Sequence, residues 1–242
     1  MRGTVDSVLA DPPRGAPDEL ISILPAACHP ISGHPLTITE ISDQIVSLFL
    51  GGTEPTADTL AWALHLMAAH PPIQTRLHAE VDNILAGRPP TYADLARPEL
   101  TGRILTETLR LYPPIWFLTR TITRDTRLGP YTLPAGSTVA YSAYQVHHHP
   151  GRYEQPDRFD PDRWLSGRDA AIACTSSIAF GSGPRRCVAG HFAFTEATLA
   201  LASIASRWQL EPVAGDHVRP SRIGMLRPRA LRLRIRTRSR TD

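Results

Sequence analysis

One stretch of this 242-residue chain, Phe180-Gly181-Ser182-Gly183-Pro184-Arg185-Arg186-Cys187-Val188-Ala189-Gly190, carries a single thiol at the end of a Gly-rich loop. The apolar, alanine-rich run over 189–207 that follows predicts a helix, so the thiol sits at a helix start. Glycines let backbone amides approach the sulfur, and the positive helix end and the neighbouring Arg side chains suit an anionic sulfur ligand. That combination is the chemistry of one cysteine holding a metal. Cys28, Cys174 and Cys187 are an odd, widely spaced set with no C-x-x-C pair, which excludes a disulfide framework and a cysteine-rich zinc module and fits a reducing compartment.

Three further groups have chemical potential. Glu107-Thr108-Leu109-Arg110 puts a carboxylate and a guanidinium at i and i+3 on one helical face, where they can pair. Gly51-Gly52-Thr53-Glu54-Pro55-Thr56 breaks two local rules in the middle of a predicted helix, where a proline alone costs about 3 kcal/mol. Such violations concentrate where function overrides stability. His147-His148-His149 offers imidazoles, but neighbours on an extended segment point to alternate sides and do not chelate together, so a structural role is expected.

The elements that must position these residues follow from periodicity and caps. Thr37-Ile38-Thr39-Glu40 reads as a capping box opening a long helix that ends at His70-Pro71-Pro72. Its apolar residues, Ile41, Ile45, Leu48, Phe49, Trp62, Leu64 and Leu66, surround the axis, which predicts a mostly buried helix. Pro55 is expected to push aside the Gly51 carbonyl and bulge the helix. Further helices are predicted over 73–86, 100–111 and 189–207, the last with Phe192, Ala193, Ala197, Ala200, Leu201 and Ile204 inside. Thr126–Leu133 and Thr138–Tyr144, joined by Pro134-Ala135-Gly136, read as strands, as does Ala230–Arg236 with its Leu/Ile–Arg alternation. Residues 1–36 form an irregular segment with one short amphipathic stretch, Asp18–Leu24, ahead of a domain over 37–242. The fold class is mainly α with small β-sheets.

The cysteine loop resembles the haem-binding signature of the cytochrome P450 family, F-x-x-G-x-R-x-C-x-G, with Phe180, Gly183, Arg185 and Cys187 in register and Ala189 in place of the last Gly. The resemblance covers about residues 18–242 and corresponds to the C-terminal part of the family fold. It implies that Cys187 is the proximal ligand of the iron of haem b (iron protoporphyrin IX), and that Arg185 and Arg120 meet haem propionates. Glu107 and Arg110 match the family's E-x-x-R pair. Arg163, in Pro161-Asp162-Arg163-Trp164, matches the arginine that completes this buried structural network. Gly51–Thr56 resembles the oxygen-activation segment. Glu54 matches its acid, Pro55 stands where most members have Thr, and a water, Thr56 or a substrate hydroxyl would replace the missing alcohol.

The same resemblance implies a haem-thiolate monooxygenase that inserts one oxygen atom of O2 into a hydrophobic small molecule, with electrons from a ferredoxin-like or flavin donor. Substrate contacts would come from Phe49, Gly52, Ile115, Trp116, Phe117, Leu118 and Met225. The family's front half has no counterpart here, so the rival reading is an inactive or split remnant without independent catalysis.

Composition fits a globular protein: 42% apolar residues, 20% charged, and a net charge of +3. No run approaches a membrane span and no signal-type apolar run follows Met1, so a cytoplasmic location without membrane partners is expected. All 26 basic residues are Arg, and nine of them lie between Arg219 and Arg240 with Asp242 as the single acid. That cluster raises a third reading, nucleic-acid binding. Alternation with Leu and Ile and the absence of stacking aromatics argue against it and for a half-buried strand.

Overall fold

A computed structural model describes residues 2–10, 23–29, 32–94, 99–165, 177–221 and 223–238. Cys174 and most of the Asp18–Leu24 stretch lie outside the described residues. Two compact units are formed, Met1–Glu54 and Pro55–Asp242. The first contains helix α1 (Arg2–Ala10), a short 3-10 turn at Leu24–Ala26, a bridge between Cys28 and Pro35, and the start of the long helix α2 (Ile38–Ala69). The capping box closes as expected: the Glu40 amide donates to Thr37 Oγ1 at 3.2 Å, and Glu40 Oε2 accepts from the Thr37 amide at 2.8 Å.

The second unit holds α3 (Pro71–Leu85), α4 (Glu99–Leu111), α5 (Ala143–His147) and α6 (Gly190–Arg207). Its core joins Leu66 and Met67 of α2, Leu77, Val81 and Leu85 of α3, Ile104 and Leu105 of α4, and Ala197, Leu201 and Ala202 of α6. The fourfold spacing of 77, 81 and 85 places one stripe of α3 inward. Burying each such Leu contributes about 1.5–3 kcal/mol. Two side chains splice elements far apart in sequence. Gln74 of α3 donates from Nε2 to the Leu210 carbonyl at 2.9 Å and accepts the Leu210 amide at 2.7 Å, acting like a strand neighbour. The Glu80 carboxylate accepts the amides of Leu100 and Thr101 at 2.6 and 2.9 Å, so a side chain of α3 caps the N-terminus of α4.

Four two-stranded antiparallel sheets occur among the described residues: β1 (Leu118–Thr121) with β4 (Thr138–Tyr141), β2 (Thr126–Leu128) with β3 (Tyr131–Leu133), β5 (Trp208–Pro212) with β8 (Leu233–Thr237), and β6 (Arg219–Pro220) with β7 (Pro228–Arg229). The single strand expected over Thr126–Leu133 is instead a hairpin, because Gly129, at φ +58°, and Pro130 form a turn in its middle. The strand expected over Thr138–Tyr144 stops at Tyr141. Ser142 then caps α5 by accepting the Gln145 amide.

Three other expectations are corrected. α2 is buried over its C-terminal half, from Trp62 to Ala68, whereas Leu48, Phe49 and Leu50 are exposed. A helix apolar all round needs cover on every side, and in the first half it is given to Ile41 and Ser42 but not to Leu48, Phe49 and Leu50. α2 also runs through Pro55 as unbroken α-helix without the expected bulge. Proline removes one bond of the ladder, while Thr53 Oγ1 to the Phe49 carbonyl (2.7 Å) and Thr59 Oγ1 to the Pro55 carbonyl (2.8 Å) add bonds around the gap. Phe192, expected on the inner side of α6, is 69% exposed; the buried stripe is Ala197, Thr198, Leu201, Ala202 and Ala205. No helix among the described residues is long and apolar enough to cross a membrane.

In the Arg-rich end, the strand expected over Ala230–Arg236 is observed as β8, starting only at Leu233, with Leu233 half-buried and Ile235 exposed. Arg232 pairs with Asp216, Arg236 with Glu211 at 3.0 Å, and Arg238 with Asp82 at 2.6 Å, so three of its guanidinium groups are tied to acids of the same chain.

Candidate functional site

Glu107 and Arg110 project from consecutive turns of α4 and are both fully buried. Arg110 donates from Nε to Glu107 Oε2 and from Nη2 to Oε1, both at 2.9 Å. Its remaining donors reach the carbonyls of His147 (2.9 Å), Pro156 (2.7 Å) and Arg158 (3.2 Å). Arg163, in the 3-10 turn Pro161–Trp164, adds an Nε bond to Glu107 Oε1 at 2.9 Å. The carboxylate also takes the Trp164 indole N–H at 2.9 Å and the Asp160 amide at 3.1 Å. A buried carboxylate is tolerable only with its lone pairs filled, and here five donor contacts fill them.

Sequence reasoning named Glu107, Arg110 and Arg163 and missed Trp164 and Tyr153. The Trp164 signal was readable, because a Trp in a buried turn needs an acceptor for its N–H. Tyr153 packs under Arg110, whose Cζ lies 5.0 Å from the ring centroid. His147 is buried, with Nδ1 3.0 Å from the Arg110 carbonyl, and so belongs to the same framework. The network fastens α4 to the segment 147–164.

The cysteine loop consists of two 3-10 turns, Ser177–Phe180 and Gly183–Arg185, ahead of α6. Gly181 and Gly183 have φ of +74° and +68°, a backbone region open chiefly to glycine, which fits both residues to this loop. The Cys187 amide donates to the Phe180 carbonyl at 2.7 Å, folding the loop back so that the thiol is exposed three residues ahead of α6. Phe180 lies along α6: a Cβ on Gly190 would come 3.4 Å from its ring.

A cavity of about 330 Å³ opens beside this loop, lined by Arg120 of β1, Tyr141 of β4, Val146, Ile178, Gly181, Ser182, Pro184 and Arg185. The structure thus brings Arg120 and Arg185, 65 positions apart in sequence, to one cavity. Arg120 Nη1 donates to the Thr119 carbonyl at 2.8 Å, and its Cζ stands 5.9 Å from the Tyr141 ring centroid. Tyr141, Val146 and Ile178 were not foreseen.

The model of one family, cytochrome P450, matches residues 16–234. The chain belongs to the cytochrome P450 family. It is 43% identical over 217 residues to the cyclooctat-9-en-7-ol 5-monooxygenase of Streptomyces melanosporofaciens, covering 89% of this chain and 47% of that protein. It is 44% identical over 223 residues to the pentalenene oxygenase of Streptomyces avermitilis, covering 92% and 49%. Among solved structures, the cytochrome P450DA heme domain superposes with a TM-score of 0.88 at 32% identity, over 99% of this chain and 53% of that one. The chain spans about half the length of the curated relatives it matches.

The other P450 positions named from sequence are placed as follows. On α2, Glu54 and Phe49 are exposed, Gly52 is half-buried and Thr56 is buried. Ile115 and Phe117 are exposed, while Trp116, Leu118 and Met225 are half-buried. Val188, in the turn ahead of α6, is 87% exposed, and Phe192, in the first turn of α6, is exposed too.

Proposed function

We propose that this chain binds haem b through the Cys187 thiolate and serves the monooxygenation of a hydrophobic small molecule of the terpenoid class in the cytoplasm. The observation that carries the reading is the cavity shared by Arg120 and Arg185 at the mouth of a loop that presents an exposed thiol. The residues fit the group: two fixed positive charges suit two propionates, and the glycine loop leaves its single sulfur ligand accessible. When bound, the haem supplies oxygen activation, and a thiolate ligand pushes electron density towards O–O cleavage.

This chain's own residues do the rest. Phe180 and Gly183 shape the loop, and the Phe180 carbonyl fixes the Cys187 backbone. Arg120 and Arg185 orient the porphyrin edge. Glu54 and Thr56, flanking Pro55, handle protons, with the Thr56 hydroxyl replacing the missing alcohol one position on. Ile115, Trp116, Phe117, Leu118 and Met225 provide an apolar surface for the substrate. Phe49 and Gly52 are further substrate contacts by family resemblance. Two relatives whose names refer to cyclooctat-9-en-7-ol and pentalenene support the terpenoid class. Electrons come from a ferredoxin-like or flavin donor, for which the exposed Arg186 offers positive charge beside the loop.

The exposure of the apolar Val188 and Phe192 favours a second reading, in which the chain binds haem poorly until another polypeptide covers them. Haem reconstitution separates the two. Reduced, carbon monoxide-treated chain is expected to show the long-wavelength band of intact thiolate ligation, and its absence with little haem retained favours the second reading. Cys187→Ser is expected to abolish the thiolate spectrum. Full-strength haem with unaltered spectra in that variant would falsify the assignment.

A further inference from the structure

The two segments that carry most of the proposed substrate contacts are laced together around Met225. The Leu226 amide donates to the Pro114 carbonyl at 3.0 Å, and the Trp116 indole N–H donates to the Gly224 carbonyl at 3.1 Å. Residues 114–116 and 224–226 are thereby joined at two points, one through the backbone and one through a side chain. A third bond comes from another element: Trp62 of α2 donates its indole N–H to the Leu226 carbonyl at 2.8 Å. Trp62 is 1% exposed and stacks on Tyr112, with ring centroids 3.7 Å apart and planes 5° from parallel. Tyr112, Pro114 and Trp116 alternate along the segment leaving α4, so its first ring rests on Trp62 and the next two contacts seize the 224–226 loop.

Hydrophobic burial alone does not require this arrangement. A Phe at 62 would fill a similar core site, but it could not bond the Leu226 carbonyl, which is buried with its residue. Gly224, at φ +72°, lets the loop reverse, and the Arg227 amide closes on the Met225 carbonyl at 3.0 Å. The backbone on both sides of Met225 is thereby held while its side chain stays half-buried.

We infer that Trp62 is a positioning residue for substrate specificity: from the helix core it sets the spacing between the Ile115–Leu118 segment and Met225, and hence the width of the apolar wall. This rests on the reading of those residues as substrate contacts. Trp62 acts through its bond to the Leu226 carbonyl, with Tyr112 stacked on its ring.

The test compares the wild-type chain with Trp62→Phe, which keeps an aromatic ring for Tyr112 and removes the N–H. Amide hydrogen exchange and calorimetric titration with 1-adamantanol, a rigid apolar cage, are the readouts. Exchange at Leu226 is expected to rise about tenfold while the Ile104 and Leu105 amides of α4 stay protected, and the Kd for 1-adamantanol to weaken about threefold or more. Equal acceleration at Leu226 and throughout α4, or none at Leu226, overturns the inference, because Trp62 then serves packing alone. Faster exchange confined to the loop with unchanged Kd overturns it by a different route: the clamp exists, but the assignment of the wall to substrate fails. If Trp62→Phe does not fold, Trp62→Met, whose flexible apolar chain fills irregular core space and likewise lacks the N–H, takes its place. Exchange at Leu226 and the Kd then decide in the same way.

Discussion

The indole of Trp164 and the guanidinium of Arg110 meet on the same oxygen of Glu107, each at 2.9 Å. Trp164→Phe removes one donor and leaves the others in place, with an expected loss of about 1.5–3 kcal/mol, typical of a hydrogen bond to a charged group. Glu107→Gln strands two buried guanidinium groups and should cost more, about 3–5 kcal/mol. Urea unfolding of both variants checks the order. Equal losses would show that the carboxylate charge contributes nothing beyond one bond.

Arg110 serves five acceptors from three nitrogens in one plane, a geometry that the three-donor ammonium of lysine does not reproduce. Arg110→Lys is therefore expected to destabilise nearly as much as removal, by about 3 kcal/mol or more. A urea midpoint within error of wild type would contradict this.

Glu80 reaches α4 from another helix, so its effect should be local to that contact. Glu80→Ala is expected to cost about 1–2 kcal/mol and to accelerate exchange at the Leu100 and Thr101 amides first. Uniform acceleration across α4 would indicate that the carboxylate matters for docking rather than for capping.

Acid should weaken the fold earlier than carboxylates alone would dictate. Burial holds the imidazoles of His65, His78 and His148 below the ordinary histidine range, aided at His65 by His70 and at His78 by Arg238. The unfolded chain then binds protons that the native chain refuses. Stability is complete above the unfolded value of about pH 6.5 and declines as pH falls below it. Arg88 depresses Asp94 and Arg232 depresses Asp216, and their contributions persist above about pH 4 and are lost only as pH falls further. The urea midpoint is expected to drop between about pH 7 and pH 5, and a triple His→Gln variant at 65, 78 and 148 should flatten that slope.

Local chemistry made much of this legible in advance. Thr37 and Glu40 announce a helix start because both partners of the box sit within four residues, and the span of α4 follows from its own period and the prolines after it. The cysteine loop was readable because glycine, arginine and thiol had to be contiguous. Pairing of β1 with β4 was not, since Leu118–Thr121 and Thr138–Tyr141 meet across a hairpin whose turn, Gly129-Pro130, was read as strand interior. The Glu80 cap escaped because the acceptor lies 20 positions from the amide it serves. Three of the five acceptors around Arg110 were equally silent, because backbone carbonyls leave no mark in a sequence. Phe192 misled because an alanine-rich helix has no single unambiguous stripe.

The acid-tethered end of the chain, with Arg232, Arg236 and Arg238 each held by an acid, contains no primary amine. Guanidinium keeps its proton far into alkaline solution, where ammonium would lose it. These tethers should outlast titration that would dissolve lysine-based ones, and cyanate in aged urea, which carbamylates lysine, would find no side chain of that kind to modify.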